Sequence, residues 1–234
     1  MMKFFTFLLL PFIIFAQSNN PDVIIRNLKN EFNKVKDYSV DVNIKVDVSF
    51  LKVPEMNAKI YFKQPDKIHI QSEGFAMLPR DGLYTSPLSF LKNDYTAIYV
   101  RDEIIDGSNA SVIKIIPLND KGDLVLTTMW IDQKRNVILK VESTTKTNGT
   151  FTMDLNYGDN KYPLPSSMLF VFNAERSKLT QFDRNDENSK KKKPQMISGK
   201  VYISYSNYVV NKGLPDSLFE QKGKNNSNIS SDVH

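Results

Sequence analysis

The chain contains no cysteine. That absence excludes a disulfide framework, a thiol nucleophile, cysteine-based zinc sites and a lipid-modified cysteine beside an export leader. Histidine is scarce as well, with His69 and the terminal His234 the only two. Neither belongs to an HExxH pattern, and no GxSxG, P-loop or GxGxxG stretch occurs, so the common hydrolytic, phosphate-cradling and dinucleotide chemistries lack their residues. Neighbouring acids such as Asp102 with Glu103, or Asp183 with Asp186, fall in expected turns, where solvated carboxylates belong. The reading is a protein that is not an enzyme and holds no metal and no cofactor.

Charge of one sign is also in short supply. The formal net charge is +5, and much of the excess sits in Lys190 to Lys193. A basic face with interleaved aromatics is missing, so nucleic acid is not an expected partner. One apolar run stands out, Phe4 to Phe15, broken only by Thr6 and Pro11. It falls short of the about 20 residues that cross a bilayer. Lys3 precedes it and the small residues Ala16 and Ser18 follow, the pattern of a secretory signal peptide over residues 1–18 with the mature chain starting at Gln17 or Asn19. With this leader, the Lys- and Asn-rich composition suits a bacterial periplasm.

What remains is strongly patterned. Asn20 can cap a helix, Pro21 suits its first turn, and Ile24, Ile25, Leu28, Phe32 and Val35 recur on one side of it. Next, Val40, Val42, Ile44, Val46, Val48 and Phe50 alternate with polar residues, as in a strand of an antiparallel sheet with one dry face. The rhythm returns in Met56, Ala58, Ile60 and Phe62, and after a break at Pro65 and Asp66 in Ile68 and Ile70. Further strands are predicted over Tyr95 to Val100, Ser111 to Leu118, Leu124 to Ile131, Val137 to Thr144, Phe151 to Tyr157, Met168 to Phe172 and Met196 to Tyr205. Short turns such as "DGSN" and "DQKRN" join most of them, favouring a meander that curls into a barrel or half-barrel. Residues 174–195 are polar and charge-dense and read as an inserted loop; residues 221–234 read as a disordered tail.

The order of a leader, one amphipathic helix, a long alternating strand, "IYFKQPDKIHI", and later "TTMWIDQKRNVILKVES" with "GTFTMDLNY" resembles the outer-membrane lipoprotein carrier LolA and its relatives in the lipoprotein-sorting superfamily. Lys63, Gln64, Pro65, Asp66 and Lys67 match the basic stretch around a proline that ends the first strands there. Met129, Trp130, Ile131 and Asp132 match a later apolar-Trp-Ile-Asp strand. The position before the proline, an arginine in the principal carriers, is Gln64. The resemblance implies a mainly β fold over residues 19–220: a curved, antiparallel, incomplete β-barrel of about ten to eleven strands, with helices covering its open face and an apolar cavity for acyl chains. It further implies a monomer whose partners are lipid or lipidated protein cargo, together with transport components of the inner and outer membranes. Sensors that regulate a membrane partner share the fold; they usually carry a second domain, for which too little chain follows Tyr205.

A cavity also follows from strand number, because about ten strands enclose more space than their own side chains readily fill. The irregular stretch "SEGFAMLPRDGLYTSPLSFLK" then reads as a lid, with Phe75, Met77 and Leu78 across the mouth and a short helix from Pro87 carrying Leu88 and Leu91. Leu88, Phe90 and Leu91 serve equally well as a cap on ordinary core. Val42, Ile44, Val46, Ile60, Phe62 and Ile68 are expected to line the cavity. Trp130 and Met153 are core first and lining second.

Deleting Ser177 to Lys193 is expected to leave folding unchanged, since the segment has little to bury and long loops close at small entropic cost. If the lysine run meets anionic lipid, at about 1 kcal/mol for each lysine near the surface, liposome co-sedimentation falls in the deletion. Unchanged co-sedimentation makes the run a solvated loop.

Overall fold

The computed structural model describes residues 19–48, 51–72, 87–92, 94–119, 122–147, 149–175 and 196–220. The leader, Phe75, Met77 and Leu78 of the expected lid, residues 176–195 of the expected loop and the C-terminal tail lie outside them.

The helix forms as its sequence asks. Asn20 accepts a hydrogen bond from the Asp22 backbone N–H at 2.9 Å, Pro21 opens the first turn, and α1 (Pro21–Phe32) buries Ile25 and Leu28. Asp37–Val48 follows as β1, with the short β2 (Leu51–Lys52) beside it. A hairpin comes next, β3 (Met56–Lys63) and β4 (Lys67–Gln71). After a 3-10 turn at Pro87–Leu91, seven strands run in succession: β5 (Tyr95–Ile105), β6 (Ser108–Pro117), β7 (Leu124–Asp132), β8 (Ile138–Thr145), β9 (Gly149–Asn156), β10 (Ser167–Glu175) and β11 (Met196–Val210).

All pair antiparallel in one sheet, in the order β4-β3-β1-β11-β10-β9-β8-β7-β6-β5, with β2 attached to β1. The meander therefore holds from β5 to β11, and the last strand returns to pair with the first. The sheet does not close: β4 and β5, consecutive strands, stand at opposite edges. An open half-barrel of mainly β structure is the observed fold, as the alternation predicts.

Register shows why one side is dry. Ile44 faces Ile203 across β1 and β11, and Met56 across β1 and β3. The row continues through Met168 and Leu155, and farther round through Met153, Val141, Met129 and Ile113. Ile44, Val141, Met129 and Ile113 are wholly buried. α1 lies on this side, with the Lys29 ammonium donating to the Tyr95 hydroxyl at 3.2 Å and to the Leu91 carbonyl at 3.5 Å.

Two local features bend the pattern. The two-residue turn between β5 and β6 places Asp106 and Gly107 at φ 48° and 78°, the left-handed pair that suits the twist of a hairpin. β11 runs on to Val210 instead of ending near Tyr205. Asn207 takes φ 55° at a register shift, donates to Asp41 at 2.9 Å, and lets the strand continue beside Tyr38 and Ser39.

Gly199 lies directly across from Phe172. A Cβ at Gly199 would meet Phe172 Cζ at 2.4 Å, so the ring occupies the place of the missing side chain. Gly199→Ala is expected to cost about 1–3 kcal/mol through overpacking, and Phe172→Leu should recover part of it in a double-mutant cycle. Ile44→Ala, at a site with 0 % exposure, should cost about 2–5 kcal/mol. Urea denaturation measures both.

Candidate functional site: the half-covered apolar face

α1 does not cover the whole dry face. Beyond it, Phe90 of the 3-10 turn lies 6.2 Å from Phe151, Phe151 lies 5.3 Å from Phe170, and Phe170 lies 5.7 Å from Phe172, centroid to centroid. All four are half-buried. The register produces this ladder, because Phe151 and Phe172 are cross-strand partners and Phe170 stands opposite Met153. Tilted rings at these separations are favourable arrangements, and they present a continuous apolar surface. Gly199 adds to it by letting Phe172 lie against β11.

At the opposite ends of the strands the face becomes tyrosine-rich. Tyr38 stacks on Phe62 at 5.2 Å and meets Tyr208 edge-on at 5.8 Å, and Tyr208 lies 6.3 Å from Tyr205. Burial pushes the Tyr38 hydroxyl up to about 12 and raises Tyr208 as well. The Tyr208 hydroxyl donates to the Pro165 carbonyl at 2.8 Å. A set of polar ties closes this end. Asp37 accepts from the backbone N–H groups of Lys212 and Gly213, and Asn211 bonds both Lys36 and Lys34. Gln64, just before Pro65, donates to the Val35 carbonyl at 2.8 Å, so its side chain secures the turn between α1 and β1.

The expected site residues separate into groups. Val46, Ile60, Phe62 and Leu88 are half-buried on or against the dry face. Val42, Ile44, Leu91 and Met153 are on it too, but closed over as core. Ile68 stands opposite Phe62 at the edge and is 38 % exposed. Trp130 is buried, as its core-first reading expects. Met129 faces inward, so Trp130, the next residue along β7, faces the other way, opposite Val112 and Lys140. The Lys140 ammonium sits 5.1 Å from the indole centroid, a cation–π cover that keeps the ring 8 % exposed on the outer face. Its Nε1 makes no hydrogen bond of normal geometry among the described residues. The dipole of that N–H, then Arg101, nevertheless hold the Glu103 carboxyl below its ordinary range.

The Asp132 that ends the Trp-Ile-Asp stretch has a structural task. Burial pushes its carboxyl up, but the backbone N–H groups of Arg135 and Lys134, at 2.7 and 2.8 Å, and the Arg135 guanidinium outweigh that and hold it below the ordinary range. It shapes the turn into β8. A recess of roughly 930 Å³ opens beside β1 and β3, lined partly by Asp41, Asn43, Asn57, Lys59 and Ser206. Val53, Pro54, Met56 and Ala58 complete its walls, so the lining is mixed. No described helix is long and apolar enough to cross a membrane.

The ladder escaped sequence reading because Phe151, Phe170 and Phe172 come together only once β9 and β10 are in register. The visible signals were the alternation of Met168, Phe170 and Phe172, and a glycine inside β11.

No protein-family model and no curated protein sequence matches the chain. Solved structures do match. A LolA superfamily protein from Nitrosomonas europaea aligns with TM-score 0.53 at 13 % identity, covering 85 % of this chain and 96 % of that one. A DUF1329 family protein from Desulfovibrio piger aligns with TM-score 0.55 at 12 % identity over 86 % and 95 %. An outer-membrane lipoprotein-sorting protein domain from Vibrio parahaemolyticus gives TM-score 0.52 at 12 % identity over 85 % and 95 %. The fold is therefore that of the LolA superfamily.

Lys63 and Lys67 both reach Asp216, at 2.8 and 3.0 Å, clipping the β3–β4 hairpin to the chain after β11. Hydrogen bonds from Lys63 and Lys67 hold the Asp216 carboxyl down at about 2. A carboxyl depressed in the folded state stabilises fully above its unfolded value and loses that contribution as pH falls through the folded one. Asp216→Asn should therefore lower Tm at pH 6 and converge with the parent near pH 2. A pH series of thermal melts checks this; a constant difference across the range removes the ion pairs as the cause.

Proposed function

We propose that this protein is an exported carrier that shelters the acyl chains of a lipid or lipidated protein on the dry face of its half-barrel. The observation that carries the reading is the half-covered phenylalanine ladder Phe90, Phe151, Phe170 and Phe172, on a fold shared with a lipoprotein-sorting protein domain. Moving a 14-carbon chain through water exposes roughly 11 kcal/mol of hydrophobic free energy at about 0.8 kcal/mol per methylene. A carrier must offset most of that and still release its load. Half-buried rings meet both needs, since they offer apolar area yet are not locked on every side. Phe62, Ile60, Val46 and Leu88 extend the apolar surface, whereas Trp130 takes no part. The periplasm, as the water-filled space between two membranes, is where such cargo needs cover.

Native mass spectrometry of protein purified from its own envelope is expected to show a bound lipid or acylated peptide that dissociates on mild activation. In parallel, the double change Phe151→Ala and Phe170→Ala should weaken a fluorescent acyl probe tenfold or more, about 1.4 kcal/mol. Trp130→Ala should leave probe affinity within about twofold while lowering Tm, because its indole covers the outer face. Equal loss of probe binding in the ladder and Trp130 variants would overturn the assignment of the dry face.

A further inference from the structure

Asp102 on β5 stands opposite Ser111 on β6. Its Oδ1 accepts from the Ser111 hydroxyl at 3.0 Å and from Gln133 Nε2 at 2.7 Å, and Gln133 also donates to Ser111 Oγ at 3.0 Å. Ser111 is buried, with 3 % exposure. The other oxygen, Oδ2, faces the chain just ahead of α1, where Asn19 Nδ2 approaches to 3.5 Å. Neutral donors thus orient a carboxylate that pairs with no cation among the described residues. The adjacent Arg101 is engaged by Glu103, and Arg135 by Asp132. The carboxylate is exposed, is turned toward Asn19, and forms no ion pair with a described residue.

We propose that Asp102 gains an ion-pair partner in the α-ammonium group of Asn19, created when the leader is cut between Ser18 and Asn19. Ala16 and Ser18 then hold the third and first positions before the cut, where small residues are required. In the cut, a signal peptidase adds water across the Ser18–Asn19 peptide bond; the hydroxyl completes the Ser18 carboxyl group, and the released Asn19 amine is protonated at neutral pH. Until then that nitrogen is a neutral amide. Cleavage therefore supplies a charge at the residue whose side chain already reaches Asp102.

The position gives the ion pair a task. Asn19 immediately precedes the Asn20 cap of α1, so pairing its terminus with Asp102 anchors the helix across the dry face. A cation ahead of a helix N-terminus opposes the helix dipole; Asp22 in the first turn and Asp102 itself offset that. In the uncut chain α1 is held by Ile25, Leu28 and Lys29 without this tie, and cleavage adds it. This inference rests on export and is independent of the cargo.

The test uses the mature chain in two forms, beginning at Asn19 or at Gln17, each with Asp102 or with Asp102→Asn. Intact mass of the exported protein should show Asn19 first. Hydrogen exchange should show the α1 amides at least tenfold better protected in the Asn19 form than in the Gln17 form, with Asp102→Asn removing the difference. A mass that begins at Gln17, or equal protection in the two Asp102 forms, overturns the ion pair; the latter comparison decides even if Asp102→Asn does not fold. A mass that retains the leader overturns export itself, and the ion pair with it.

Discussion

One constraint governs the molecule: the dry face of the sheet is wider than the helix that lies on it. Ten strands at the usual spacing make a sheet roughly 45 Å across before it curls, whereas the 12-residue α1 is only about 18 Å long. Curling narrows the gap without closing it. The chain must then bring something else to the uncovered part, and it brings aromatic rings. Phenylalanine rings lie tilted against one another along the strands and leave no polar atom unsatisfied, so the ladder can stand half-exposed at modest cost. Had β4 met β5, the surface would have become a sealed core.

Polar groups are sorted by the same geometry. On the outer face Asp41, Asn43, Asn57 and Lys59 bond one another across β1, β3 and β11, the expected behaviour of a solvated side. Among the described residues, buried Asp37, Asp132, Thr127 and Ser143 each find a hydrogen-bond partner. Asp37 holds the backbone after β11, Asp132 holds the turn between β7 and β8, and the paired hydroxyls of Thr127 and Ser143 satisfy each other at 3.0 Å. Asp37 and Asp132 act at strand ends, whereas the Thr127–Ser143 pair sits mid-strand beside Phe151.

Much of this was legible in the sequence, because a period of two needs no knowledge of partners. Val40 to Val48 declare a dry side on their own, and so do Met56 to Phe62. Trp130 could have been placed by the same rule, since an inward Met129 sends its neighbour outward. What the residues could not show was register. Phe90, Phe151 and the Phe170–Phe172 pair are far apart in the chain, and nothing local says that the three groups meet. Asn207 hid the last turn of β11 because a left-handed residue inside a strand looks, in sequence, like its end.

The pairing of β1 with β11 also bears on time. Val42 and Ile44 find Tyr205 and Ile203 only after nearly the whole chain is available, and contacts between distant segments slow folding because the intervening loop must close before they reward it. Translation from the amino end leaves β1 waiting for its partner. A polypeptide that must pass through a membrane before it folds gains from that delay, since an early, complete sheet would be too bulky to thread. The strand order that keeps the half-barrel together therefore also postpones its assembly until the last strand arrives.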